Sequence, residues 1–184
     1  MKYKIFWLVF SAFSIFLFTV FNQSCGSDEG AKVDCEKICN KEKECNTDMT
    51  ASDVTQCKST CEKISKNGYY QDSFINEVNK CYDKACSDIN SCIENSSGLC
   101  KAPDYMPYVN AVCDKMIECD PSAGTKEACV SGGKSAMEQE ISKGGSIKCL
   151  TDRAFTDMGS CIKNASCSNF DNDAEKCVNE IIGM

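Results

Sequence analysis

Seventeen cysteines, Cys25 and sixteen more between Cys35 and Cys177, are the residues of this 184-residue chain best equipped for chemistry. A thiol can hold a metal, act as a nucleophile or oxidise to a disulfide, and spacing decides among these. The chain has no histidine and no Cys-x2-Cys pair, so the common zinc spacings and the thioredoxin-type redox motif are both missing. Lack of histidine also removes any Ser-His-Asp or Cys-His nucleophile arrangement. Ser131-Gly132-Gly133-Lys134-Ser135 ends like a phosphate-binding loop, but Ala128 stands where the first glycine belongs and no apolar strand precedes it. Asp171-x-Asp173-x-Glu175 lacks the glycine and distal glutamate of a calcium loop and reads as an acidic first helical turn. The 27 carboxylates select no catalytic pair. The expectation is therefore a non-enzyme with no metal and no cofactor, whose cysteines form disulfides.

Composition agrees with that choice. From Cys25 onward only 23 of 160 residues are Leu, Ile, Val or Phe, and 18 basic residues face 27 acidic ones, a net charge of −9. So little apolar side chain with so much charge is the signature of disorder. Sixteen pairable cysteines offset it, because each bridge restricts the unfolded ensemble by about 2 to 4 kcal/mol. Disulfides at this density belong to exported proteins. The acidity disfavours nucleic acid and anionic lipid surfaces as partners.

The elements that must position the cysteines read as helices throughout. Glu, Lys, Ala, Met, Asn and Ser dominate, proline occurs only at 103, 107 and 121, and no β-branched alternation appears. Helix starts are expected at Asp34 or Ala31, at Thr50 or Ser52, and at Asp104 ahead of Pro107. Asp120 to Gly124 reads as a turn, Gly144-Gly145 as a stop, and Ser168 to Asp171 as the entry to a last helix. Cys35-x3-Cys39 and Cys57-x3-Cys61 each put two thiols on one helical face. An antiparallel hairpin turning near Asn46 to Thr50 would pair Cys35 with Cys61 and Cys39 with Cys57. This arrangement resembles the twin Cys-x3-Cys hairpin of small mitochondrial intermembrane-space chaperones, over about 27 residues and in geometry alone. The same logic predicts Cys113–Cys129 across the turn at Pro121 to Gly124, and Cys167–Cys177 holding the last helix. Other pairings stay open.

Spacings recur along the chain. Cys39 to Cys45 and Cys113 to Cys119 enclose five residues each; Cys61 to Cys81 and Cys129 to Cys149 enclose nineteen; Cys86 to Cys92 and Cys161 to Cys167 enclose five. Three matches in the same order point to two diverged repeats, 34–97 and 98–184, of about four helices each. Tyr69, Tyr70, Tyr105, Met106 and Tyr108 are read as suppliers of a scarce core, with a recognition surface as the alternative.

The first 24 residues differ from the rest. Lys2 and Lys4 precede an apolar run from Ile5 to Phe21, followed by Asn22-Gln23-Ser24-Cys25-Gly26-Ser27. These are the parts of an export signal. Seventeen residues rise only about 25 Å as a helix, short of a bilayer's ~30 Å core, so cleavage is expected and a retained span is the alternative. The segment around Cys25 resembles a bacterial lipoprotein signal in the relaxed form of spirochaetes, with Asn22 where an aliphatic residue is usual. That resemblance implies a signal peptide over 1–24, lipid attachment at Cys25, and a polar tether over 25–33. Across the whole chain, signal, acidity and cysteine content resemble the uncharacterised cysteine-rich lipoproteins of spirochaetes such as Leptospira. The expected protein is all-α, anchored in the bacterial cell envelope through an N-terminal lipid, with the outer membrane as the implied location. Its expected role is a binding module for an unidentified protein ligand, the alternative being a structural envelope protein without one.

Overall fold

The computed structural model describes residues 31–144 and 146–182; the expected signal, Cys25 and most of the tether lie outside them. Eight α-helices and no strand occur among the described residues: α1 Cys35–Cys45, α2 Ala51–Asn67, α3 Asp72–Cys81, α4 Cys86–Ser96, α5 Met106–Cys119, α6 Lys126–Ser142, α7 Asp152–Lys163 and α8 Phe170–Ile182. Short 3-10 turns sit at Ser97–Leu99, Ser146–Cys149 and Cys167–Asn169.

Local chemistry sets the helix ends. Asp34 caps α1, its carboxylate accepting from the Lys37 amide at 3.0 Å. Thr50 caps α2 in a reciprocal box: its hydroxyl accepts from the Asp53 amide, and the Asp53 carboxylate accepts from the Thr50 amide at 2.8 Å. Gly68, at φ 63°, takes the left-handed conformation that ends α2. Pro107 stands in the first turn of α5, where its missing N–H costs nothing.

The chain divides into two compact units. The N-terminal unit comprises the described residues up to Pro103 together with 143–151, and the C-terminal unit comprises 104–142 and 152–182. The division differs from the expected halves in two ways. Residues 98–103 belong with the first unit, and 143–151 return to it. Cys100 and the Tyr69–Gln71 backbone hold that returning segment. Cys100 is bonded to Cys149, the Gln71 amide donates to the Cys149 carbonyl at 2.9 Å, and the Thr151 amide donates to the Tyr69 carbonyl at 2.8 Å. Tyr70 and Leu150 thus form an isolated antiparallel bridge. The Gln71 side-chain amide also donates to the carbonyls of Lys101, Lys148 and Leu150. The expected tether is also shorter at its C-terminal end. The Ala31 amide donates to Asp72 at 2.8 Å, the Lys32 carbonyl accepts from Asn79, and the Val33 amide donates to Ser65.

The N-terminal unit has a thin core. Phe74 and Ile75 of α3 and Ile89 of α4 are buried, and Phe74, Cys100 and Cys149 cluster with Tyr70, Val78 and Ile93 packed against them. Helix α2 buries no residue, so the α1/α2 hairpin is held by its bridges more than by apolar packing. The C-terminal unit is better filled. Tyr108, Val109, Met137, Phe155, Met158, Ile162 and Ile181 are all buried. Its densest seam lies between α5 and α7, where a β-carbon on Gly159 would sit 2.8 Å from the Pro107 carbonyl oxygen and 3.4 Å from Ala111. Only glycine allows helices that close.

Candidate functional site: the cystine framework

Each helical hairpin is stapled internally. Cys35–Cys61 and Cys39–Cys57 join α1 to α2, with Cα separations of 5.5 and 5.8 Å. Cys81–Cys92 joins α3 to α4. In the C-terminal unit Cys113–Cys129 joins α5 to α6, and Cys161–Cys177 joins α7 to α8. Two further bridges tie one hairpin to the next: Cys45 at the end of α1 to Cys86 at the start of α4, and Cys119 at the end of α5 to Cys167 at the head of α8. With Cys100–Cys149, these eight bridges use all sixteen cysteines from Cys35 to Cys177.

Cys167 and Cys177 were expected to pair and do not. Cys167 opens the 3-10 turn before α8, whereas Cys177 lies two turns inside that helix. At 1.5 Å per residue the axial distance exceeds ~10 Å, beyond the ~7 Å that a disulfide spans. Helix α7 instead presents Cys161 beside Cys177. The inter-hairpin bridges, open in cysteine spacing alone, do leave a signal in the sequence. Cys39-Asn-Lys41-Glu-Lys-Glu44-Cys45 and Cys113-Asp-Lys115-Met-Ile-Glu118-Cys119 share a Cys-x-Lys-x-x-Glu-Cys pattern. In both, the lysine ammonium pairs with the glutamate three residues on, at 2.8 and 2.9 Å. That identity matches Cys45 with Cys119 as helix-end thiols with distant partners.

Of the tyrosines read as core, Tyr108 is buried, whereas Tyr69, Tyr70 and Tyr105 are half-buried. Tyr108 is buried with its ring 6.4 Å from Phe155, Tyr105 meets Phe155 edge-on at 6.5 Å, and Tyr70 stacks on Phe74 at 5.7 Å. Burial pushes the Tyr70 and Tyr108 phenols up to about 12. Tyr82 is raised as well, by burial first and then by the Glu42 carboxylate that accepts its hydroxyl at 2.9 Å. Met106 is half-buried at the start of α5. The glycine-lysine motif at 131–135 is continuous helix within α6, with Lys134 paired to Glu138 at 3.7 Å. Asp173 accepts from the Ser166 amide at 2.8 Å and from Asn169, which ties the head of α8 in place. No cluster of metal-ligating side chains occurs among the described residues.

What fold and framework define together is a small all-helical protein built on disulfides. No protein-family model, curated protein or solved structure matches the chain.

Proposed function

We propose that this protein is a lipid-anchored envelope lipoprotein whose body is a binding module made of two diverged copies of one disulfide-framed helical unit. The cysteine count supports the anchoring. Eight bridges account for every cysteine from Cys35 to Cys177, so no thiol is left among the described residues to pair with Cys25. An odd thiol in an oxidising compartment is a liability, and lipidation at the end of an apolar export signal removes it. No helix among the described residues is long and apolar enough to cross a membrane.

The duplication rests on equivalent bridges, in a register different from the one that cysteine spacing offers. Cys39–Cys57, Cys45–Cys86 and Cys81–Cys92 correspond in order and in helix position to Cys113–Cys129, Cys119–Cys167 and Cys161–Cys177. Helices α3 and α7 both begin with aspartate, Asp72 and Asp152. Phe74, Ile75, Val78 and Cys81 then match Ala154, Phe155, Met158 and Cys161 at a constant offset. Cys149, which spacing equates with Cys81, instead follows the same offset to Tyr69, so the nineteen-residue match is a coincidence.

The copies have diverged in charge. The N-terminal unit carries twelve lysines and twelve carboxylates, and the C-terminal unit six basic residues against thirteen acidic ones. A ligand gathered by the C-terminal unit is accordingly neutral or cationic, since an anionic one would meet like charge. Intact mass of the unreduced protein, extracted from membranes and treated with an alkylating reagent, tests the anchoring. Diacylglycerol-scale mass on Cys25, sixteen missing hydrogens and no alkylation are expected. A free Cys25 thiol or a retained signal segment overturns the reading. Saturable capture of one defined protein would separate a binding module from a purely structural envelope protein.

A further inference from the structure

The eight bridges differ in exposure. Six keep at least one half-cystine buried, with Cys39, Cys81 and Cys149 fully enclosed. The two inter-hairpin bridges are the exceptions: Cys45 and Cys119 are half-buried, while Cys86 and Cys167 are exposed. The bridges open to attack are thus the two that hold one hairpin against the next.

Opening them has unequal consequences. In the C-terminal unit α5 and α7 remain locked by the close seam at Gly159, Pro107 and Ala111. At the equivalent place in the N-terminal unit stand Asn79 and Lys37. There the ties between hairpins are polar: Lys37 Nζ donates to the Asn79 carbonyl at 2.7 Å and pairs with Asp83 at 2.6 Å, the Asp34 amide donates to Asn79 at 2.9 Å, and Tyr82 donates to Glu42. Partly exposed ties of this kind each contribute little against water, and α2 buries nothing.

We propose that Cys45–Cys86 is a thiol-exchangeable clasp, a modification site for a small thiol or a protein dithiol, whose opening frees the α1/α2 hairpin. An incoming thiolate attacks Cys45 Sγ, forming a mixed disulfide. Cys86 Sγ leaves with the bonding pair, as a thiolate at the first residue of α4, where unpaired helix N–H groups favour negative charge. A second thiol equivalent displaces the first from Cys45. The protein cystine gains two electrons and two protons, and two external thiols become one external disulfide. Both hairpins keep their internal bridges, so the change releases one hairpin from the other: α1 and α2 stay joined to each other but lose the protection of docking.

The test uses the intact protein. Dithiothreitol is titrated in without denaturant, thiols are trapped with N-ethylmaleimide and mapped by mass spectrometry, and amide exchange is followed on the trapped species. Cys45 and Cys86 should be trapped roughly tenfold sooner than the cysteines of Cys81–Cys92 and Cys100–Cys149. Exchange over 35–67 should then rise roughly tenfold or more, with 106–142 unchanged although Cys119 and Cys167 are also trapped early. Equal trapping rates at buried and exposed bridges overturn the proposal, as does a hairpin that keeps its protection once Cys45 and Cys86 carry label. A Cys45→Ser/Cys86→Ser variant should show the same local exchange from the outset. Loss of helix beyond 35–67 in that variant refutes the clasp and makes the bridge a fold determinant.

Discussion

A β-carbon built on Gly133 lies 3.9 Å from the β-carbon of Val109, which is the separation of two bonded half-cystines. These two residues sit four before Cys113 and four after Cys129, as Cys35 and Cys61 sit relative to Cys39 and Cys57. The C-terminal unit therefore carries the site of a second hairpin bridge without its sulfur atoms. Val109→Cys with Gly133→Cys should oxidise spontaneously, losing two further hydrogens by intact mass. The added loop closure should stabilise that unit by about 3 kcal/mol in denaturant titration. Two free thiols in the purified double variant would undo the proposed equivalence of the hairpins.

Single enlargement at the same glycine should behave differently. Alanine at Gly133 meets Val109 Cγ1 at 2.8 Å, a side-chain methyl that a rotamer change can withdraw. Alanine at Gly159 meets the Pro107 carbonyl oxygen at 2.8 Å, a backbone atom that cannot. Gly159→Ala should cost about 2 kcal/mol despite the better helix propensity of alanine, and Gly133→Ala should cost less. Chemical denaturation of the two variants side by side decides the order, and equal losses would show that α5 and α7 can slide apart.

Alkali should unfold the protein through its phenols. Tyr70 and Tyr108 have folded pKa values near 12, raised by burial above the ordinary value of 10.0. A raised folded pKa contributes stability that is complete below pH 10 and is lost as pH climbs through 12. Helicity by circular dichroism should fall in that window together with the rise of tyrosinate absorbance. Tyr108→Phe should shift the midpoint upward, and an unchanged midpoint would mean that Tyr108 ionises without opening the core.

At the other end of the scale, Asp53 is held below its ordinary carboxylate range by the hydrogen bonds from the Thr50 backbone and hydroxyl. Its contribution is present above pH 3.8 and fades as pH falls below that value. Thr50→Ala should raise the Asp53 pKa by carboxyl NMR and weaken α2 by about 1 kcal/mol. An unmoved Asp53 titration would show that the backbone amide alone sets its pKa.

The α1/α2 hairpin was legible because Cys-x3-Cys fixes both spacing and face, leaving one antiparallel solution. Thr50 and Asp34 were each legible as one of two cap candidates, beside Ser52 and Ala31, since side-chain capping is local. Cys100–Cys149 could not be read, because its formation depends on 143–151 folding back onto Tyr69–Gln71, a path set by backbone pairing and by the Gln71 side chain binding carbonyls, and carbonyl acceptors leave no mark on residue types. Spacing also misled. Cys86 to Cys92 and Cys161 to Cys167 are equally long but not equivalent: Cys86 heads a helix and Cys161 lies near the end of one. Under the proposed duplication, helix position matches Asp72 with Asp152. Cysteine intervals match Cys81 with Cys149 instead.

Taken in chain order, none of the eight bridges joins a cysteine to the next one along. Cys45 lies inside the Cys39–Cys57 loop, Cys86 inside Cys81–Cys92, Cys119 inside Cys113–Cys129 and Cys167 inside Cys161–Cys177. An oxidase that paired thiols in the order they appear along the chain would therefore make a wrong bond at every step. Cys100 must wait for forty-nine further residues before its partner appears. Maturation consequently needs either helix formation before oxidation or a disulfide isomerase to shuffle early errors, and the yield from a host should follow its isomerase capacity more than its oxidising power.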